Sequence, residues 1–239
     1  MPYYYYGFDW TYITIVLPCL LLSILASAHV NNTFRRYGKQ LSNRRITGAQ
    51  AAQRVLHSYG VSNVRIERVS GHLTDHYDPR THIIRLSDSV YDSTSTAAIG
   101  VACHEAGHAV QYAEGYFPIK LRAAIIPITN FGSKLAIPLI LIGILFSTVG
   151  GFSDMLVQLG IACFALSLVF QLITLPVEFN ASRRALEIID QTDMLTEDEQ
   201  IGARKTLNAA AMTYLAAAAV ALSQLLRIIL LFGSRRRRE

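Results

Sequence analysis

His104-Glu105-Ala106-Gly107-His108 places two imidazoles four residues apart. On an α-helix of about 3.6 residues per turn such positions lie on one face, a single turn apart, so both side chains can reach one metal ion. Glu105 stands about 100° round that helix from His104. Its carboxylate therefore lies beside the metal rather than on it, free to take a proton from a water held there. The H-E-x-x-H segment thus encodes two ligands and one base.

The flanks agree with a helix. Asp92-Ser93-Thr94-Ser95 supplies N-cap candidates, and the small apolar residues Ala97 to Cys103 suit a helix deep in a core. Gly115 then ends it. A catalytic zinc also needs a third protein ligand and an open position for water. In the metzincin pattern that ligand lies six residues past the second His and follows a glycine. Here Glu114 would be the ligand and Gln111 replaces the glycine. On a continuing helix Glu114 lies about 9 Å further along and faces away from His108. The other route is a Glu on a later helix, and Glu178 in Pro176-Val177-Glu178-Phe179-Asn180-Ala181-Ser182 is well placed. Pro176 marks a helix start or kink, after which Glu178, Ser182 and Ala185 share a face.

Gly71-x-Leu73-Thr74-Asp75-His76-Tyr77-Asp78-Pro79, the H-E-A-G-H segment, Glu178-Phe179-Asn180-Ala181-Ser182 and Ala211-Met212-Thr213-Tyr214 together resemble the YugP-type neutral zinc metallopeptidases, membrane proteins of bacteria. The likeness spans most of the chain. A more distant similarity is to the gluzincin membrane proteases of the HtpX and CAAX-prenyl-protease kind, in which Glu from an E-x-x-x-D segment completes the zinc site. The resemblance implies Zn²⁺ as cofactor, Glu178 as third ligand and peptide hydrolysis by a small α+β zincin-like domain. Ser182 stands where the distant relatives carry Asp. The outer partner of a ligand His would then be a hydroxyl rather than a carboxylate.

Composition bounds the rest. With 239 residues, 51% hydrophobic and 16% charged, and a mean hydropathy of +0.30, the chain is too apolar for an ordinary soluble domain. It reads as a mainly α membrane protein with about four apolar helices. Cys19, Cys103 and Cys163 sit in apolar segments without paired spacing, which predicts neither a disulfide framework nor a Cys-rich metal site. The net charge of +5 gathers beside apolar segments and in Arg235 to Arg238, which favours a lipid surface over nucleic acid as the partner.

In chain order, Tyr3 to Tyr6, Trp10 and Tyr12 form an interfacial aromatic cluster before an apolar stretch from Ile13 to Ala28. Residues 1–29 are read as a transmembrane anchor. Ala26-Ser27-Ala28 resembles a signal-peptidase site, but no Lys or Arg precedes the stretch, and Arg35, Arg36, Lys39, Arg44 and Arg45 follow it. Those charges predict an uncleaved anchor with the next segment in the cytoplasm.

Residues 30–130 form the catalytic domain. Thr47 and Gln50 make a capping box for a helix from Ala49 to Tyr59. Val61 to Val69 and His82 to Leu86 read as two extended segments, joined as a hairpin by Ser70 to Thr81. Residues 131–177 form a membrane hairpin of two apolar runs, Leu135 to Val149 and Met155 to Leu175, turned at Gly150-Gly151. Two crossings return the chain to its starting side, so Glu178 emerges on the face that holds His104 and His108. Residues 178–208 carry the third-ligand helix and a polar, solvated segment. Residues 209–239 form a last apolar helix with a basic tail; it either spans, against the positive-inside bias, or is partly embedded and packs against the site.

The expected function is that of a multi-pass zinc endopeptidase of the bacterial cell membrane with its site facing the cytoplasm. Its substrate would be a protein or peptide, including membrane proteins. His104, His108 and Glu178 would hold the metal and Glu105 act as base, with Tyr214 and His76 as candidate oxyanion donors. The rival readings are an inactive zinc-binding or chaperone-like scaffold, and a transporter. Oligomeric state has no signature in the sequence.

Overall fold

The computed structural model describes residues 10–146 and 151–232. The Tyr3 to Tyr6 cluster, Val149 and Gly150 of the expected membrane hairpin, and the Arg235 to Arg238 run lie outside the described residues. A π-helical turn, Tyr12–Val16, leads into α1 (Leu17–Tyr37). Then come α2 (Gly48–Ser58), β1 (Arg65–Val69), β2 (His76–Asp78), β3 (Ile83–Ser87) and α3 (Thr96–Ala113). The long helices α4 (Phe117–Leu145), α5 (Gly151–Gln191) and α6 (Glu197–Phe232) complete the described chain. Tyr12–Tyr37, Phe117–Leu145, Gly151–Gln191 and Glu197–Leu231 are long and apolar enough to cross a bilayer. The chain is a mainly α membrane protein with a small three-stranded sheet.

It divides into two compact units. The first comprises Met1–Leu25, Leu121–Thr174 and Tyr214–Glu239. Within it α4 and α5 approach closely at small residues: a Cβ on Gly160 would lie 2.8 Å from the Ala136 carbonyl oxygen. Close backbone contact of this kind holds apolar helices together where lipid supplies no hydrophobic drive between them. The Ser133 and Ser167 hydroxyls share a hydrogen bond of 2.7 Å across the same pair. Arg227, which interrupts the last apolar run, lies 5.4 Å from the Tyr12 ring centroid in a cation–π contact.

The second unit, Ala26–Lys120 with Leu175–Thr213, holds a mixed core. Leu56 of α2, Ile84 and Leu86 of β3, Ile99 and Val110 of α3, and Ile189 of α5 are fully buried in one cluster. α2 starts at a complete capping box: the Thr47 hydroxyl accepts the Gln50 N–H, and the Gln50 side chain accepts the Thr47 N–H. α3 starts at Ser95, whose hydroxyl accepts the Ala98 N–H, and stops before Gly115, at φ +70°.

Two expectations need correction. The extended segments around residues 66 and 84 do not form a hairpin, because β1 pairs with β3 in parallel, Arg65 opposite Ile83. The intervening segment carries its own strand, β2, which pairs antiparallel with β3 and gives the order β1-β3-β2. Parallel neighbours need a crossover, and residues 70–75 begin it. Asp78 closes the β2–β3 turn by accepting the Arg80 N–H and the Thr81 hydroxyl, which hold its carboxyl down at about 2. Of the two readings of Pro176, a helix start or a kink, the start is excluded, since α5 runs through it. The missing Pro176 N–H removes one backbone bond, and flanking turns on both sides carry the helix across.

Candidate metal centre

His104 and His108 stand one turn apart on α3, their ring centroids 4.7 Å apart and their planes 85° from parallel. Glu178 reaches in from α5, its Oε2 3.3 Å from Nε2 of His104 and 3.4 Å from Nε2 of His108. One donor atom from each of the three residues lies within 4.8 Å of the others. Glu178 is 2% exposed. Glu114, the rival third ligand, caps the end of α3 instead and pairs with Arg184 at 2.7 Å.

Gly107, inside the motif itself, lets α5 come this close. A Cβ there would lie 2.9 Å from the Ala181 carbonyl oxygen and 3.3 Å from the Ala181 Cα. Ala181 sits between Glu178 and Ser182 on one face of α5, so the contact sets the depth at which both side chains meet the histidines.

Behind the cluster, each Nδ1 has its own partner. His104 Nδ1 is 3.0 Å from the Ser182 hydroxyl. His108 Nδ1 is 3.0 Å from Oε1 of Gln111, which is fully buried. The Gln111 amide donates to the Val177 carbonyl at 2.8 Å and to Oδ1 of Asn180 at 2.9 Å. Both amide hydrogens are thereby used, so Oε1 is the atom left for His108 and must accept from Nδ1–H. In the neutral imidazole the lone pair of His108 is then on Nε2, toward Glu178. Asn180 also accepts from Arg184 Nε at 2.8 Å, extending the network to the Arg184–Glu114 pair.

Burial opposes charge on His108, but Glu178, Glu105 and Gln111 outweigh it and raise its pKa. Burial likewise works against an ionised Glu178, and the two imidazoles overcome it, holding its carboxyl well below the usual carboxylate range. The cluster therefore favours a bound positive charge. Two imidazole nitrogens and one carboxylate oxygen are a donor set that suits zinc with a further position open.

Glu105 is 9% exposed on the same helix. Its charge is felt by Asp75, whose pKa burial raises and Glu105 raises further, against hydrogen bonds from the Ser87 N–H and hydroxyl. The segment before β2 is thus electrically coupled to Glu105, and α3 packs on β2 and β3. His76 lies exposed in β2, its Nδ1 2.9 Å from the Thr74 carbonyl, and is not one of the clustered donors. Tyr214 is half-buried on α6 and belongs to the first unit. Ser182 stands where a His partner was expected. Gln111 and Gly107 escaped the sequence reading, although Gln111, three residues past His108, had the spacing to share its face.

The family whose model matches residues 12–233 is described as "Putative neutral zinc metallopeptidase", and the chain belongs to that family. Among curated proteins it is similar to the "Putative membrane protease YugP" of Bacillus subtilis (strain 168). The two are 44% identical over 221 residues, which cover 92% of this chain and 96% of the relative. No solved structure matches the chain.

Proposed function

We propose that this protein is a membrane-integrated zinc endopeptidase. The observation that carries the reading is the convergence of His104, His108 and Glu178 donor atoms within 4.8 Å of one another, with the buried Glu105 next to His104 in sequence. The three donors would hold the zinc, which supplies Lewis-acid polarisation and brings the pKa of water toward about 7. Glu105 takes the proton from the attacking water and later returns it to the leaving amine. His76, in β2 beside α3, is the proposed hydrogen-bond donor to the oxyanion. β2 is an edge strand of the sheet and packs against α3, so an extended protein or peptide substrate can align along it beside that helix.

Purified protein should contain about one zinc per chain and cleave an unstructured reporter peptide in detergent. A chelator should remove both properties and added zinc restore cleavage; undiminished cleavage by the zinc-free protein would overturn the reading. Gln111→Leu removes the acceptor from His108 Nδ1 while keeping bulk. It should weaken zinc binding about 10–100-fold, as loss of an outer hydrogen-bond partner does. Unchanged affinity would show that Gln111 only fills space.

The basic residues that follow the α1 span support a site on the cytoplasmic face of a bacterial membrane. A cysteine at exposed Lys39, in a variant lacking the native cysteines, should resist an impermeant thiol reagent in intact cells. It should react after permeabilisation. Labelling of intact cells would place the catalytic unit outside.

A further inference from the structure

A separate recess, part polar and part apolar, lies in the same unit as the His104–His108–Glu178 cluster, and the peptidase reading makes no use of it. It is a groove of about 390 Å³ to which α1 contributes His29, Thr33 and Arg36, and α6 contributes Lys205, Asn208 and Met212. The spacings of four and three on α1, and of three and four on α6, put each set on one helical face. The lining contains no carboxylate. Arg36 rests 5.5 Å from the Tyr37 ring centroid, and among the described residues neither Arg36 nor Lys205 has an ion-pair partner. Thr33 is only 8% exposed, yet its hydroxyl makes no side-chain hydrogen bond among the described residues. Two unneutralised cations, a hydroxyl, an amide and a ring N–H around one recess are the donor set for a phosphate oxygen cluster.

Where the groove falls along each helix says which phosphate. α1 runs out of its apolar stretch into Arg35 and Arg36, whereas Lys205 is the last charged residue before the apolar run of α6. Both helices therefore pass the boundary between hydrocarbon and headgroup at these residues. A soluble phosphate needs only the cations. A phospholipid also uses the apolar end, where Met212 gives an exposed, flexible surface for the first carbons of the chains. We propose that this groove binds the headgroup phosphate of an anionic phospholipid in the leaflet next to the metal-bearing unit.

The test uses the full chain in neutral detergent, with its thermal unfolding midpoint followed against short-chain phosphatidylglycerol, short-chain phosphatidylcholine and inorganic phosphate. Phosphatidylglycerol should raise the midpoint saturably, and the other two should not. Arg36→Gln or Lys205→Gln should weaken that binding about fivefold and the double variant about thirtyfold, the cost expected for one and two cations near an anionic lipid surface. Both side chains are exposed, so the unliganded midpoint should not change; Arg36→Lys with Lys205→Arg should keep the lipid effect. An equal rise with phosphatidylcholine, or full retention of the phosphatidylglycerol effect in the double Gln variant, would overturn the proposal. A rise with inorganic phosphate as large as with the lipid would overturn it in favour of a free-phosphate site. None of these readouts depends on zinc or hydrolysis.

Discussion

Glu105→Gln should leave zinc at about one per chain and reduce peptide hydrolysis by several orders of magnitude. The substitution keeps size, shape and hydrogen bonding, and Glu105 is not among the clustered donor atoms, so metal retention should be unchanged. What is removed is the proton acceptor. General-base catalysis alone contributes typically about 10²–10⁴-fold, and in the proposed mechanism the same group would also return the proton to the amine. Measurement of bound zinc and of reporter cleavage on one preparation separates this outcome from misfolding. A variant that holds zinc and cleaves like the parent would refute the mechanism. A parent that holds zinc and never cleaves would instead favour a scaffold.

Glu178→Ala should lose zinc and hydrolysis together. It removes the oxygen that lies within 3.4 Å of both imidazoles, and two His ligands alone bind zinc weakly. The loss should exceed the about 10–100-fold expected for Gln111→Leu, because a ligand and not its support has gone. The Gly107–Ala181 contact survives the change, so α5 should keep its place against α3. Full zinc stoichiometry at limiting metal concentration would show that the third donor lies elsewhere.

The parts of this site that read directly from sequence were those with local causes. The i,i+4 histidines require a helix, Ser95 caps it and Thr47 with Gln50 caps its neighbour, each within a few residues of the group it serves. Glu178 was legible for another reason: the two apolar runs between it and His108, read as a pair of crossings, put it on the side expected for the histidines. What stayed hidden depends on which surface meets which. β2 is only His76–Asp78, three polar or aromatic residues between turn-formers, with no periodicity to separate it from a loop. Parallel pairing of β1 with β3 leaves no short-range mark. Gln111 looked like a departure from another family's pattern, because its partners Val177 and Asn180 come from α5. Gly107 occupied a position the motif leaves free; its importance comes from the Ala181 backbone.

The unit that carries the His104–His108–Glu178 cluster is built from two stretches of chain, Ala26–Lys120 and Leu175–Thr213, with the apolar residues of α4 and most of α5 translated between them. The order of synthesis then acts as a timer. While a ribosome is still making the hairpin, α3 already displays both imidazoles, but neither the Glu178 carboxylate nor the Ile188 and Ile189 side chains that share its core exist. The donor cluster can close only after the intervening hydrophobic segments have been synthesised, because Glu178 follows them in the chain. A nascent or mistargeted fragment ending before residue 178 therefore carries the His104–His108 motif without the Glu178 carboxylate that completes the donor cluster.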